Sequence, residues 1–271
     1  MKNHKPLAIS HKLLTIGWLY PELMSTYGDR GNILVLQKRA AWRGIETKIV
    51  PISDETNIPE LIKIDLIFGG GAQDLEQEIV MADLKKGKGD KLKQLIEEEV
   101  PALFVCGSPQ LMGRFYEPAK GKRIDGLSIF DMETTHPGEL DNRLIGNVAA
   151  EILWENLGQP NTGGFRAQSI IFGFENHGGR TSLGKHAKPF AKVIKGNGNN
   201  GEDGTEGVVY KNAIGCYFHG PLLPKNPVIA DHLLTRSLEV KYKQTILLEP
   251  LDDSLESQSR SAIAKKLGVN I

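Results

Sequence analysis

Apolar positions in the first half of the chain alternate between two rhythms. Short unbroken apolar runs recur at KLLTIGWLY (12–20), TKIVPI (47–52), IDLIF (64–68) and PALFV (101–105), with the length and β-branched content of strands buried on both faces. Between them stand segments with helical spacing. GDRGNILVLQKRAAWRG (28–44) carries Ile33, Leu34, Leu36 and Ala40 as its apolar positions, with Gly44 placed to end the helix, and KLKQLIEEEV (91–100) is amphipathic. Alternation of this kind predicts parallel strands covered by helices, and right-handed crossovers turn these into a doubly wound sheet.

The rhythm changes after about residue 145. NVAAEILW, QSIIFGF, PFAKVIK, GVVY and AIGCYF follow one another with few helix-length segments between them. These predict antiparallel strands added to or beside the main sheet. GNGNNGEDGTEG (196–207) reads as an exposed loop between two strands. A helix is predicted from about Pro227 to Leu238, and LDDSLESQSRSAIAKKLG near the C-terminus reads as a surface helix or a partly ordered end. Without an internal repeat, linker or composition break, the expectation is one α/β domain over residues 1–271. Its sheet is doubly wound and mostly parallel, with added antiparallel strands in the C-terminal half.

Composition narrows the function classes. With 271 residues, 40% of them hydrophobic, the chain is long enough to bury a sizeable core. Lys+Arg and Asp+Glu both number 33, so there is no electrostatic footprint for nucleic acid or an anionic membrane surface. Two cysteines make neither a disulfide framework nor a metal site. The N-terminus lacks a signal-peptide pattern and no apolar run reaches membrane-spanning length. The expectation is a soluble, reduced, cytoplasmic protein.

The candidate chemistry begins at VPALFVCGSPQLMG (100–113), where an apolar run stops at Cys106, small and turn-forming residues follow, and a helix opens near Gln110. Ligands of open parallel sheets gather at the carboxyl ends of strands, and Cys106 stands at such an end. A nucleophile on a tight strand-to-helix turn is lifted out of the sheet. The helix start offers it unpaired N–H groups for an oxyanion and a positive dipole end that favours thiolate. The same stretch also suits a small buried hydrophobe, a common use of free cysteine. Cys216, inside AIGCYF with no turn beside it, reads as core.

A cysteine nucleophile needs a base, usually histidine. His4 and His11 precede the first strand, His136 and His186 lie in polar stretches, and His232 in IADHLL reads as a helix position. His219, ending a strand in GCYFHGP, and His177, in GFENHGGRT, can both reach the sheet edge that holds Cys106; the Gly-Pro corner favours His219 slightly. At DLIFGGGAQDLEQ, three glycines at the end of a buried strand permit a nest of N–H groups aimed at an anion, or a plain tight turn. GRTSLGKH (179–186) has phosphate-loop spacing, but His186 stands where Ser or Thr would bind Mg²⁺ and no helix-forming run follows. ATP-dependent ligation by this chain is therefore disfavoured.

Seven stretches in order carry a resemblance: YPELMSTYGDRGN (20–32), IFGGGAQDLEQ (67–77), VCGSPQLMG (105–113), RLIGN (143–147), GFENHGGRT (173–181), GNGNNGEDGTEG (196–207) and YFHGPLLPKNP (217–227). Together they resemble the class I (triad-type) glutamine amidotransferases of the cobyric acid synthase branch, and within it the glutaminases that serve peptidoglycan precursor amidation. The resemblance implies that Cys106 attacks the side-chain amide of glutamine and His219 moves the proton. Backbone N–H groups of Gly107 and of Gly70 or Gly71 would hold the oxyanion. Gln110 and Arg143 would position glutamine, and Glu175, Asn176 and His177 would shape its pocket.

It also implies no cofactor or metal on this chain. Ammonia would pass to a separate Mur-ligase-like synthetase of the MurT type, which holds ATP and Mg²⁺ and amidates the D-glutamate of lipid II to D-isoglutamine. His219 is followed by Gly220-Pro221 where many class I enzymes have Pro-Glu, so a Cys–His dyad is expected, with Glu175 as the candidate for any orienting carboxylate. Two alternatives are the same chemistry serving another acceptor, such as a corrinoid carboxylate, and a non-catalytic partner-binding module. The intact Cys–His pair speaks against the second.

Overall fold

The computed structural model describes residues 12–138, 143–153 and 169–271; His4, His11, Trp154 and Gln168 lie outside these residues. The first half follows the apolar rhythm. β1 (Leu13–Leu19) leads to α1 (Arg30–Ala41), β2 (Glu46–Ile52), β3 (Leu66–Gly69), α2 (Asp74–Asp83), α3 (Gly89–Glu97), β4 (Ala102–Val105) and the short α4 (Gly107–Met112). Three brief strands follow, β5 (Phe115–Glu117), β6 (Ile124–Asp125) and β7 (Met132–Thr135). Then come β8 (Leu144–Ile152), β9 (Ile170–His177), β10 (Arg180–Leu183), β11 (Ala191–Lys195), β12 (Thr205–Glu206), β13 (Val208–Tyr210) and β14 (Ala213–Cys216). The helices α5 (Leu222–Lys225), α6 (Pro227–Tyr242) and α7 (Ser254–Leu267) complete the chain.

The central six-stranded sheet has the order β13-β14-β4-β3-β1-β2. Its neighbours pair in parallel except β13 with β14. Side chains of β4 alternate between two apolar layers, as the strand period of two requires. Leu103 and Val105 join Ile33 and Leu36 of α1 and Leu233 of α6 on one face. Ala102 and Phe104 join Val80 of α2 and Leu92 and Leu95 of α3 on the other. The apolar runs are therefore continuous because both faces are covered.

Of the antiparallel strands expected from the second half, NVAAEILW, QSIIFGF and PFAKVIK supply β8, β9 and β11 of a sheet of order β12-β11-β8-β9 beside the main one. GVVY and AIGCYF (β13 and β14) instead join the central sheet, where β14 is parallel to β4. Phe174 of β9 bridges to His219, just past the end of β14, and so joins this sheet to the central one. A further mixed sheet, β10-β7-β5-β6, has no counterpart in the sequence reading, since its strands are only two to four residues long.

Three local expectations are corrected or sharpened. Leu34, placed with the apolar face of α1, is 48% exposed, because it sits a third of a turn from buried Ile33. Part of the 196–207 segment turns inward: Asn199 is buried, accepting the Gly207 N–H at 2.8 Å and donating to Thr205 Oγ1 and Gly207 O. The C-terminal stretch is a docked helix, with Ala264 against Ala149 and Phe172, and Arg260 donating to Ile170 O at 2.6 Å. Among the described residues no helix is long and apolar enough to cross a membrane.

Candidate active site

The carboxyl ends of β3, β4 and β14 lie side by side, so the glycine corner, Cys106 and His219 converge. Cys106 forms the corner between β4 and α4 with φ +56° and ψ −98°. Side chains other than glycine rarely adopt positive φ, at a cost of roughly 1–3 kcal/mol, and such strain collects at functional sites. The corner is fastened by the Cys106 N–H, which donates to Cys216 O at 2.8 Å, and by Ser108 Oγ, which donates to Gly70 O at 2.6 Å. At Gly107 an added Cβ would lie 2.8 Å from the Ala72 nitrogen, so only glycine allows this approach. Pro109 stands in the first turn of α4, where its missing N–H leaves no bond unmade.

His219 is held on the other side of the corner. Its backbone exchanges hydrogen bonds of 2.7 and 3.2 Å with Phe174. Its side chain is fully buried, with Nδ1 3.3 Å from Oδ1 of an equally buried Asp29. Burial works against the imidazolium, but charge interaction with Cys106 and the bond to Asp29 outweigh it and raise His219 to about 10. The expectation of Glu175 as the candidate orienting carboxylate is therefore corrected: the carboxylate beside His219 is Asp29. Its Oδ2 accepts the Gly71 N–H at 2.6 Å. Gly71, expected to serve an oxyanion, is thus committed elsewhere, and its neighbour Ala72 is the corner residue whose nitrogen lies against Gly107.

Cys106 opens onto a cavity of about 620 Å³, walled in part by Thr26, Ala72, Gln77, Gln110, Arg143 and His177. Gln110 is buried, accepting from Gln77 Nε2 at 3.1 Å and donating to Tyr217 OH at 3.2 Å. The Arg143 guanidinium is oriented by Asn176, whose side-chain and backbone oxygens each accept from it at 2.8 Å.

His177 stacks on the Tyr217 ring at 3.9 Å, and its Nδ1 lies 2.9 Å from Gly179 O. Burial lowers its pKa to about 4, so the ring is neutral at physiological pH. A backbone carbonyl orients this ring, whereas a carboxylate, that of Asp29, lies against the ring of His219. Glu175 is corrected too. It is buried away from the cavity wall, and its oxygens accept from Asn197 N, Asn197 Nδ2 and Gly198 N at 2.8, 2.6 and 2.8 Å.

Cys216 is core as expected, its thiol pushed well up by burial. Gly179–His186 contains β10 followed by a turn, and no helix follows the spacing that imitates a phosphate loop. Among the described residues no group of three or more His, Cys, Asp or Glu side chains has metal-site geometry. Sequence reasoning gave no role to Asp29, Ala72, Gln77 or Tyr217, although all four lie inside the quoted motifs.

A family model for the CobB/CobQ-like glutamine amidotransferase domain matches residues 15–227. The chain is 39% identical over 245 residues to the GatD subunit of lipid II isoglutaminyl synthase (glutamine-hydrolyzing) of Streptococcus pneumoniae, covering 90% of this chain and 88% of that protein. It is 36% identical over 252 residues to the same subunit of Staphylococcus aureus, covering 92% and 94%. Among solved structures, the glutaminase domain of Trypanosoma brucei CTPS superposes with a TM-score of 0.54 at 12% identity, covering 86% of this chain and 96% of that one. That last likeness is one of fold alone.

Proposed function

Because the chain belongs to the CobB/CobQ-like glutamine amidotransferase family, we propose that it is the glutamine-hydrolysing subunit of a lipid II isoglutaminyl synthase. The observation that carries the chemistry is the Cys106–His219–Asp29 line on a strained corner, open to a cavity of amino-acid size. The choice of acceptor is supported by identities of 39% and 36% to GatD subunits over nearly the whole chain.

The residues divide the work as follows. Asp29 holds His219 Nδ1, which leaves Nε2 to take the Cys106 thiol proton. The sulfur attacks the side-chain carbonyl carbon of glutamine, and the tetrahedral oxyanion is met by the Gly107 and Ala72 N–H groups. His219 gives its proton to the leaving nitrogen, and ammonia departs from a γ-glutamyl thioester. Water attacks the thioester, His219 takes its proton, and glutamate leaves with the thiol restored. Gln110 and Arg143 position the substrate.

Ammonia then passes to a Mur-ligase-like partner of the MurT type. That partner binds ATP and Mg²⁺ and converts the D-glutamate of lipid II to D-isoglutamine, in the cytoplasm; this chain supplies no cofactor.

The test is labelling with a diazoketone analogue of glutamine followed by peptide mapping, with and without the synthetase partner. An adduct on Cys106 that excess glutamine blocks, and that Cys106→Ala abolishes, is expected. Absence of the adduct even with the partner present would sink the reading.

A further inference from the structure

β9 is the last strand of the antiparallel sheet: one edge pairs with β8, and the other carries the segment that follows β14. Backbone groups two residues apart point to the same edge of a strand, and on this edge two such positions are taken. Phe174 exchanges its two bonds with His219, at 2.7 and 3.2 Å. Phe172 makes its two with the side chain of Asn226, whose Oδ1 accepts the Phe172 N–H at 2.9 Å and whose Nδ2 donates to Phe172 O at 2.7 Å. An amide side chain thus stands in for a strand partner, and the stretch from His219 to Asn226 is pinned to β9 at both ends.

Arg260 of α7 stands behind the second pin. Its guanidinium donates to Asn226 Oδ1 at 3.1 Å, to Lys225 O at 3.2 Å and to Ile170 O at 2.6 Å, and lies 5.3 Å from the Phe172 ring. The residue is 5% exposed, burial lowers its pKa, and among the described residues no carboxylate pairs with it. A buried cation without a counter-ion is costly. Apolar side chains dock a helix without that cost, as Ala264 of α7 does against Ala149 and Phe172. What the guanidinium adds is a rigid fork, which holds oxygens of β9 and of the pinned segment in a fixed relation.

We propose that Arg260 is a positioning residue for the reaction: by fixing Asn226 against β9 it closes the clamp that sets where the His219 ring stands relative to Cys106. The hydrogen bond between His219 and Cys106 is the contact that this placement serves. A separate tie, from the Leu223 N–H to Asn32 Oδ1 of α1 at 2.9 Å, does not involve Arg260. Loss of the guanidinium therefore loosens the clamp without freeing the segment. The inference rests on the glutaminase reading, which gives His219 its task.

Two variants of the full chain test it. Arg260→Met keeps an unbranched apolar stem and removes the fork, whereas Ala264→Gly, one turn further along α7, weakens the docking of the same helix and leaves the fork in place. Glutamate release, with the synthetase partner present, and the rate of Cys106 alkylation by iodoacetamide are measured below the unfolding temperature of each. For Arg260→Met, kcat is expected to fall roughly ten- to hundred-fold with KM within about two-fold, the scale of a small misplacement of a reacting group. Alkylation should slow by at least about three-fold, because a displaced His219 no longer supports the thiolate. A merely structural loss would leave alkylation unchanged, or speed it by opening a thiol that is buried in the fold. Ala264→Gly should leave both readouts near those of the parent. Should Arg260→Met not fold, Arg260→Gln, which offers an amide to the same acceptors, is read in its place for the same two changes. Parent-like kcat and alkylation in the variant that folds, or equal changes in Ala264→Gly, overturn the proposal. If the Arg260 variant slows alkylation but the parent releases no glutamate even with its partner, the clamp stands and the glutaminase reading falls.

Discussion

The two oxygens of Asp29 serve two partners, one the His219 ring and the other the Gly71 N–H of the glycine corner. It thus fixes the His219 ring and the corner that flanks Cys106 with a single buried carboxylate. In Asp29→Asn the side chain keeps its volume but loses its charge and one acceptor, so His219 loses both its orienting partner and a source of its raised pKa. By analogy with triad carboxylates, glutamate release should fall roughly 10²–10⁴-fold, and the unfolding temperature should fall with it, since the Gly71 bond and part of the raised His219 pKa are lost together. A variant within ten-fold of the parent rate would mean that Cys106 and His219 act as a dyad after all. The Cys106 corner was legible in the sequence because its signal is local: an apolar strand, a turn and a helix start within ten residues. Asp29 was not, because it lies 190 residues from His219 in the chain and nothing in YGDRGN says which distant ring it faces.

At the scale of elements, the antiparallel sheet sets the far wall of the site, and Glu175 fastens it. From β9 its carboxylate gathers three donors of Asn197 and Gly198, while Thr181 N–H bonds Asn199 O, so the 196–204 loop is tied to both β9 and β10. Glu175→Ala would leave buried donors unpaired and should lower unfolding stability by about 2–4 kcal/mol in urea. Glu175→Gln, which keeps an acceptor, should recover much of that and leave the KM for glutamine within about two-fold, as expected of an anchor and not of a substrate ligand. A large KM change in Glu175→Gln with unchanged stability would return Glu175 to the pocket. The long apolar strands were readable because burial on both faces leaves an uninterrupted run. The β5, β6 and β7 strands were not, since two to four residues carry no period. The 196–207 segment was readable as a connection from its Gly and Asn content, but its inward half depends on acceptors supplied by β9, which composition does not report.

Buried titratable groups in several elements combine into one property of the whole molecule, its stability as a function of pH. Burial lowers His177 and His232 from 6.5 to about 4 and about 3. The unfolded chain binds those protons near 6.5, so their contribution is full above that pH and is lost as pH falls toward 4. Burial raises Glu206, whose Oε1 accepts the Tyr217 N–H, from 4.5 to about 8, and the Cys106–Asp29 surroundings raise His219 from 6.5 to about 10. Those two contributions are full below the unfolded values and are lost as pH rises through 8 and 10.

Between 4.5 and 6.5 two histidines oppose one carboxyl, so stability rises; above 6.5 Glu206 and His219 both pull it down. The unfolding temperature should therefore peak near pH 6.5, each group contributing a slope of about 1.4 kcal/mol per pH unit within its window. Glu206→Gln keeps the oxygen that accepts from Tyr217 but cannot ionise, so it should halve the fall between pH 6.5 and 8 and leave the fall above 8 in place. Scanning calorimetry from pH 4 to 9.5 on both proteins reads this directly. If the parent falls no faster than Glu206→Gln between pH 6.5 and 8, Glu206 is ionised in the fold, and its charge must be balanced by a donor that reaches its second oxygen.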